Sequence, residues 1–453
     1  MNHPRQSHLQ LSRRELLRMM GIGATGAMLA ACTPPQAVAP AAEGSEAAPD
    51  AAAKELRFAT DWVEGARGAT LDAALAMFAE QNPDTKVILE PIGGDYFDRL
   101  LIQFSGGTVA DAILFEGVLG LEFIKEGLIM DISATLDSMA VDQSKWNPGV
   151  VHIFKQENKV YAVPFQLTPA VWVYNKSMFE EKGVPLPEDT WDWDMVLDVA
   201  KQLTNAPETY GLWTRVDMFH QYGSAGLSNS DIHWVTEDLT KTNWDEPGFA
   251  QAIRWSIESV QLHKVSPPPS EVEGLLTAGI SNLFATGKVA MNRVNAGAIG
   301  SLQAQVGDRF EWDIMPTPKA PLTGKGGGLW NDQPHVVTSN ARERQVLEEA
   351  TKFVVFLASD EVQTIIAQDR GSTPTVRTIQ ESNTYLSAPP ASMQIVLDEL
   401  GQEVGPFYFP NWLEWYGVAN KEFELGLIGE RDIDATIEGM VTECNKVLAN
   451  IQA

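Results

Sequence analysis

The side chains most suited to chemistry in this sequence are aromatic rings and carboxylates in loop-like text. Trp330-Asn331-Asp332 follows Gly326-Gly327-Gly328, where missing side chains let a ligand approach the backbone. Pro410-Asn411-Trp412-Leu413-Glu414-Trp415 begins a helix with Trp412 and Trp415 three residues apart on one face. Trp62 and Trp213 follow strand-like runs, while Asp61, Glu116 and Gln166 stand at the ends of extended runs. Tyr96 opens a helix after Gly93-Gly94; Arg370, just before Gly371, serves either a ligand or an ion pair. Flat rings beside carboxylates and amides suit a ligand with an apolar face and a polar rim. Bond-breaking signatures are missing: there is no H-E-x-x-H, no G-x-S-x-G and no G-K-[ST], and the seven His lack metal-ligand spacing. Neither a metal nor a cofactor is expected.

The elements that must position these residues alternate. Leu56 to Thr60 reads as a strand, and Thr70 as the cap of a helix burying Leu71, Leu75 and Phe78. Asn82-Pro83 stops that helix, Val87 to Leu89 is the next strand, and Tyr96 to Phe104 the next helix. Gly106-Gly107 then precedes the apolar strand Ala112 to Phe115. Such alternation predicts an α/β fold with a parallel sheet, whose ligands lie at the carboxyl ends of the strands. That rule selects Asp61 and Trp62 after the first strand and Glu116 after the third. Further on, Tyr161–Phe165 and Ala170–Tyr174 read as two extended runs separated by Gln166-Leu167-Thr168-Pro169. Asn175-Lys176 turns into a helix ended by Gly183, Thr190-Trp191 opens another, and Phe353 to Leu357 marks a third.

The N-terminus carries its own chemistry. Arg5, Arg13, Arg14 and Arg18 precede an uncharged run, Met19 to Ala31, too short to span a bilayer and of signal-peptide length. Ser12-Arg13-Arg14-Glu15-Leu16-Leu17 resembles the twin-arginine export motif, with Leu16 where that motif often has Phe. Leu29-Ala30-Ala31-Cys32 resembles the bacterial lipobox, in which the Cys32 thiol takes lipid and the chain is cut before it. Thr33 to Ala53, mostly Ala, Pro, Glu, Ser and Gly, reads as a flexible tether. The expectation is an exported protein held by lipid to the cell membrane, facing the periplasm or the cell exterior.

Without residues 1–31 the chain holds 29 basic and 59 acidic residues, which argues against nucleic acid and anionic headgroups as partners. Cys444 is then the sole remaining thiol, so no internal disulfide forms and the body rests on its core.

Several ordered segments resemble the family 1 extracellular solute-binding proteins, receptors of bacterial ABC importers that mostly carry sugars. Lys159-Val160-Tyr161-Ala162-Val163-Pro164, Val173-Tyr174-Asn175-Lys176-Ser177-Met178-Phe179, Gly183-Val184-Pro185 and Thr190-Trp191 follow that family's order and spacing. Glu157-Asn158 stands where the family usually has Gly. Gly287 to Met291, Met315-Pro316-Thr317-Pro318 and Gly371-Ser372-Thr373-Pro374 extend the match.

The resemblance implies a two-lobed periplasmic-binding-protein fold of type II, with discontinuous lobes, a hinge and an interlobe ligand cleft. Together with the N-terminal motifs, this divides the chain into a signal peptide over 1–31, a lipidated Cys with tether over 32–54, and the receptor body. Lobe 1 would be 55–166 plus 311–375, and lobe 2 would be 167–310 plus 376–453, with hinges near Phe165-Gln166-Leu167 and Met315-Pro316. It implies a monomer that is not an enzyme, carries a mono- or oligosaccharide and hands it to permease subunits. In related maltose receptors a Trp stacks on sugar at a position best matched by Trp415. Asn295-Ala296-Gly297 stands where some sugar receptors have an aromatic plate, which implies a smaller or differently seated ligand. Two other readings stay open: a secreted carbohydrate-active enzyme, and the same fold carrying a polyamine or a phosphodiester.

Overall fold

The computed structural model describes residues 53–93, 96–146, 153–218, 221–277, 282–402, 405 and 407–452. The signal segment, Cys32 and nearly all of the tether lie outside the described residues. The strands are β1 (Lys54–Thr60), β2 (Thr85–Pro91), β3 (Ala112–Leu114), β4 (Ala162–Asn175), β5 (Tyr210–Leu212), β6 (Val289–Asn295), β7 (Trp312–Met315) and β8 (Trp330–Val337). The helices used below are α1 (Gly65–Gln81), α2 (Tyr96–Ser105), α3 (Gly117–Lys125), α4 (Lys176–Lys182), α5 (Trp193–Leu203), α6 (Pro247–Gln261), α7 (Ile299–Val306), α8 (Leu347–Leu357), α9 (Asp360–Asp369), α10 (Trp412–Leu427) and α11 (Ile433–Gln452).

The sheet order is β2-β1-β3-β8-β4-β6-β5, with β7 also paired to β4. β1 is parallel to β2 and β3, as alternation predicts, whereas β8 enters antiparallel to both β3 and β4. β4 joins the two halves. Residues 162–169 carry the ladder to β8, and 170–175 carry the ladders to β6 and β7. The expected break at Gln166–Pro169 is therefore absent: one buried strand runs through it. Pro169 is the last residue of the β8 ladder, opposite Trp330, at the point where the strand changes partners.

Each half is an α/β lobe. α1 and α8 cover the first, and the second has Val171 and Val173 in one core cluster and Trp172 and Tyr174 in another. That alternation follows from side chains pointing to opposite faces along a strand. β7 pairs with residues 172–175 and so lies in the second lobe's sheet, which corrects the expected assignment of 311–315 to lobe 1. α6, α10 and α11 pack together and bury Cys444, whose thiol burial pushes up to about 12.

Local signals explain the boundaries. Asn175 caps α4 by accepting from the Met178 N–H at 3.0 Å, and Gly183 ends it at φ +65°. α1 begins at Gly65, five residues before the expected cap; Thr70 lies inside the helix and donates to Asp369 Oδ2 at 2.9 Å. Asp192, not Thr190, caps α5. Glu157 and Asn158 adopt φ of 50° and 66° in a tight hairpin, so Asn158 takes the left-handed role a Gly would fill.

Candidate functional site

Because β1 and β3 run parallel, Asp61 and Glu116 leave the sheet at the same edge. β8 runs the other way, so its first residues, Trp330 to Gln333, extend past the end of β3 to reach Glu116. Gln333 Nε2 donates to Glu116 Oε1 at 2.9 Å, and Gln333 is registered opposite Gln166 of β4. Asp61, Glu116, Gln166, Asp332 and Gln333, from four separated stretches of chain, thus meet where the two halves of the sheet join.

Carboxyl groups are concentrated there and shielded by burial. Burial lifts Glu116 to about 7, with the Gln333 hydrogen bond opposing and the charge of Asp61 adding. Burial pushes Asp332 up to about 8, and the charge of Glu116 adds to it. Asp61 is also raised by burial, against the pull of Arg67. Both oxygens of Asp332, both amide atoms of Gln166, Oδ1 of Asp61 and Nε1 of Trp62 are buried without a hydrogen-bond partner among the described residues. Buried polar atoms are nearly always paired, and each orphan costs about 1–3 kcal/mol. A ligand rimmed with hydroxyls, each both donor and acceptor, fits such a set.

The other expected residues fall in different surroundings. Trp62 is buried with its ring against Phe165, centroids 4.6 Å apart, beside the polar group. Trp330 packs with Leu167 and Leu400, and a Cβ on Gly405 would lie 2.6 Å from its ring. Asn331 pairs with Thr168 in the ladder; its side chain lies outside the described residues. Tyr96 is buried at the start of α2. Its hydroxyl is directed at the carbonyls of Ala59 (3.1 Å) and Leu114 (2.8 Å), so it ties together the strand ends that present Asp61 and Glu116.

Trp415, expected to stack on a ligand, lies in the aromatic core. It is fully buried, stacks on Trp244 at 5.2 Å and meets Phe409 at 5.4 Å, inside the aromatic core under α10. A three-residue step turns a helix by about 300°, leaving the two rings about 60° apart around the axis. Trp412 lies in the same core, its ring 6.5 Å from that of Trp415 and between Tyr416 (stacked, 4.9 Å) and Tyr408 (edge-on, 5.2 Å). Arg370 is a loop tie: it caps α9 at φ 49° and donates to the carbonyls of Tyr385, Ser387 and Pro389. Trp213 is half-buried beneath Arg215, 5.2 Å from its ring centroid, and Arg215 pairs with Asp217 at 3.3 Å.

Two further residues lie beside this group. Tyr408 is buried within the field of Asp332 and Glu116, which adds to the effect of burial in raising its hydroxyl well above the usual range. Its neighbourhood, Phe407-Tyr408-Phe409, carried an aromatic signal that the Trp pair overshadowed. Arg67, on the first turn of α1, lies within the field of Asp61 and 5.2 Å from the Trp62 ring centroid. Starting α1 at Thr70 hid it.

Two hollows lie apart from this group. A cavity of about 30 Å³ is lined by Trp172, Trp193, Trp255 and Arg293, and a groove of about 580 Å³ runs between Phe78, Trp146 and Asp360. Neither includes any of the convergent carboxylates.

Two α/β lobes joined by a through-running strand, with buried polar atoms and aromatic rings at the junction, define a solute receptor. Residues 62–364 match the bacterial extracellular solute-binding proteins, and the chain belongs to that family. Its structure is similar to that of an ABC substrate-binding protein from Listeria monocytogenes in complex with cycloalternan (TM-score 0.79, 25% identity, 88% of this chain and 99% of that one). It is also similar to UgpB of Mycobacterium tuberculosis in complex with glycerophosphocholine (TM-score 0.75, 18% identity, 88% and 100% covered). In sequence it is 20% identical over 410 residues to the melibiose/raffinose/stachyose-binding protein MelE of Bacillus subtilis, covering 87% of this chain and 91% of that protein. The chain is a solute-binding protein of the kind that serves ABC importers, and these relatives are receptors rather than enzymes. No helix among the described residues is long and apolar enough to cross a membrane.

Proposed function

We propose that this chain is an extracytoplasmic lipoprotein that captures a carbohydrate between its lobes and delivers it to the permease of an ABC importer. The observation that carries this reading is the set of buried, unpartnered atoms on Asp332, Gln166 and Asp61 beside Trp62. Sugar hydroxyls would donate to the carboxylates and meet both ends of the Gln166 amide, while a ring face would lie on an aromatic side chain. Relatives that bind oligosaccharides support the same ligand class. Export through the Arg13-Arg14 signal and acylation of Cys32 would keep the receptor near its permease, with 33–53 as the leash.

A phosphodiester, as bound by UgpB, fits less well. Asp61 would repel it, and the raised carboxyls of Glu116 and Asp332 offer it no positive charge, so Arg67 would be its main attraction in this group. A polyamine would suit the carboxylates and the ring faces, but it would bring no acceptor for the Gln166 amide N–H groups or the Trp62 Nε1–H. The test is tryptophan fluorescence and calorimetry on the purified protein with glucose, maltose, melibiose, raffinose, spermidine and glycerophosphocholine. Saturable binding of a sugar that is recovered intact supports the reading. Binding confined to spermidine or glycerophosphocholine, or cleavage of a sugar, overturns it.

A further inference from the structure

Gly297 and Gly371 face the same side chain, Arg67. Arg67 sits on the first turn of α1, next to the strand that presents Asp61. Gly297 belongs to the single turn Ala296–Ala298 directly after β6, in the other lobe, and Gly371 opens the loop after α9. Arg67 Nε donates to the Gly371 carbonyl at 3.0 Å. A Cβ on Gly297 would stand 3.0 Å from Arg67 Nη2, and one on Gly371 would stand 3.2 Å from its Cγ. Neither glycine has a left-handed φ. The missing side chains therefore serve space and not backbone conformation. Trp62 forms a further wall, and Asp61 supplies the opposing charge.

This slot accounts for the small residues of Asn295-Ala296-Gly297. The corner left open there is not empty space for a ligand, because a guanidinium from the facing lobe fills it. The Nη groups of Arg67 have no acceptor among the described residues, so they remain to donate to a ligand oxygen beside Asp61. We propose that Arg67 is a specificity-determining residue that closes the cleft beside Asp61, grips the terminal ring there and stops a longer sugar from extending past it. The inference rests on the carbohydrate reading given above.

Calorimetry on the full-length protein with maltose, maltotriose, melibiose and raffinose tests it, comparing wild type, Arg67→Ala and Arg67→Lys, with folding checked by thermal unfolding. The expected wild type binds a disaccharide at least tenfold tighter than the matching trisaccharide. Arg67→Ala should lower that ratio at least fivefold, and Arg67→Lys should retain most of it. A purely structural role would weaken every sugar alike; an unchanged ratio in both variants, or a wild type indifferent to length, overturns the inference and leaves sugar capture standing. A wild type that binds none of the four overturns both.

Discussion

The carboxylate of Asp332 lies directly against Gly117: a Cβ at position 117 would stand 2.6 Å from its Oδ1 and 2.9 Å from its Oδ2. Gly117 is the first residue of α3, immediately after Glu116, so the absence of one methyl group lets two acidic side chains from β8 and the end of β3 share a site. Gly117→Ala should displace Asp332 and weaken sugar binding at least tenfold. Calorimetry checks this; unchanged affinity would remove Asp332 from the ligand.

The same pair sets a pH dependence. Glu116 near 7 and Asp332 near 8 both lie above their unfolded values, so the folded chain holds protons that the unfolded chain releases. Their contribution is complete below the ordinary carboxylate range and is lost as pH rises through 7 and 8. His233 and His335, held near 4 and 3 by burial, act with the opposite sign, but at lower pH, around and below the ordinary histidine range. Between pH 7 and 9 the ligand-free Tm should therefore fall, and Asp332→Asn should flatten the slope. An equal slope in the variant would contradict the assignment.

Gln166 offers a trade between stability and function. Its amide is buried without partners, so Gln166→Leu should leave the ligand-free protein as stable or up to about 1–3 kcal/mol more stable. Sugar affinity should drop at least fivefold in the same variant. Denaturant unfolding and calorimetry together check this, and a loss of stability without loss of affinity would mark the amide as structural.

Trp415 belongs to packing. Trp415→Ala should cost about 3–5 kcal/mol of stability, measured by denaturant unfolding, because it leaves a cavity against Trp244 and Phe409. A stable variant with selective loss of sugar binding would return Trp415 to the site.

Anchoring is separable from capture. Cys32→Ser should release or misprocess the protein, read by membrane fractionation, while the sugar affinity of the body stays within twofold.

The meeting of Asp61, Glu116 and Asp332 at one edge of the sheet was legible in the sequence for a simple reason: strand ends are easy to find. Asp61 and Glu116 follow short apolar strands in an alternating pattern, and Asp332 follows a run of three glycines. What stayed hidden depended on three-dimensional register. Continuity of β4 through Pro169 is decided by its partners, not by its own residues. That Trp412 and Trp415 both lie in the aromatic core under α10 depends on the rings packed against them from elsewhere in the chain, which spacing alone leaves open. Arg67 became visible only when α1 was seen to begin at Gly65, and its meaning only when Gly297 arrived from the other lobe.

The most direct measurement is a calorimetric titration of the wild type and Asp332→Asn with the sugar panel. The account predicts one-to-one binding of at least one sugar by the wild type at micromolar Kd or tighter, about 8 kcal/mol or more. It also predicts loss of at least tenfold in the folded variant. No binding of any sugar by the wild type, or equal affinity in the variant, would contradict it.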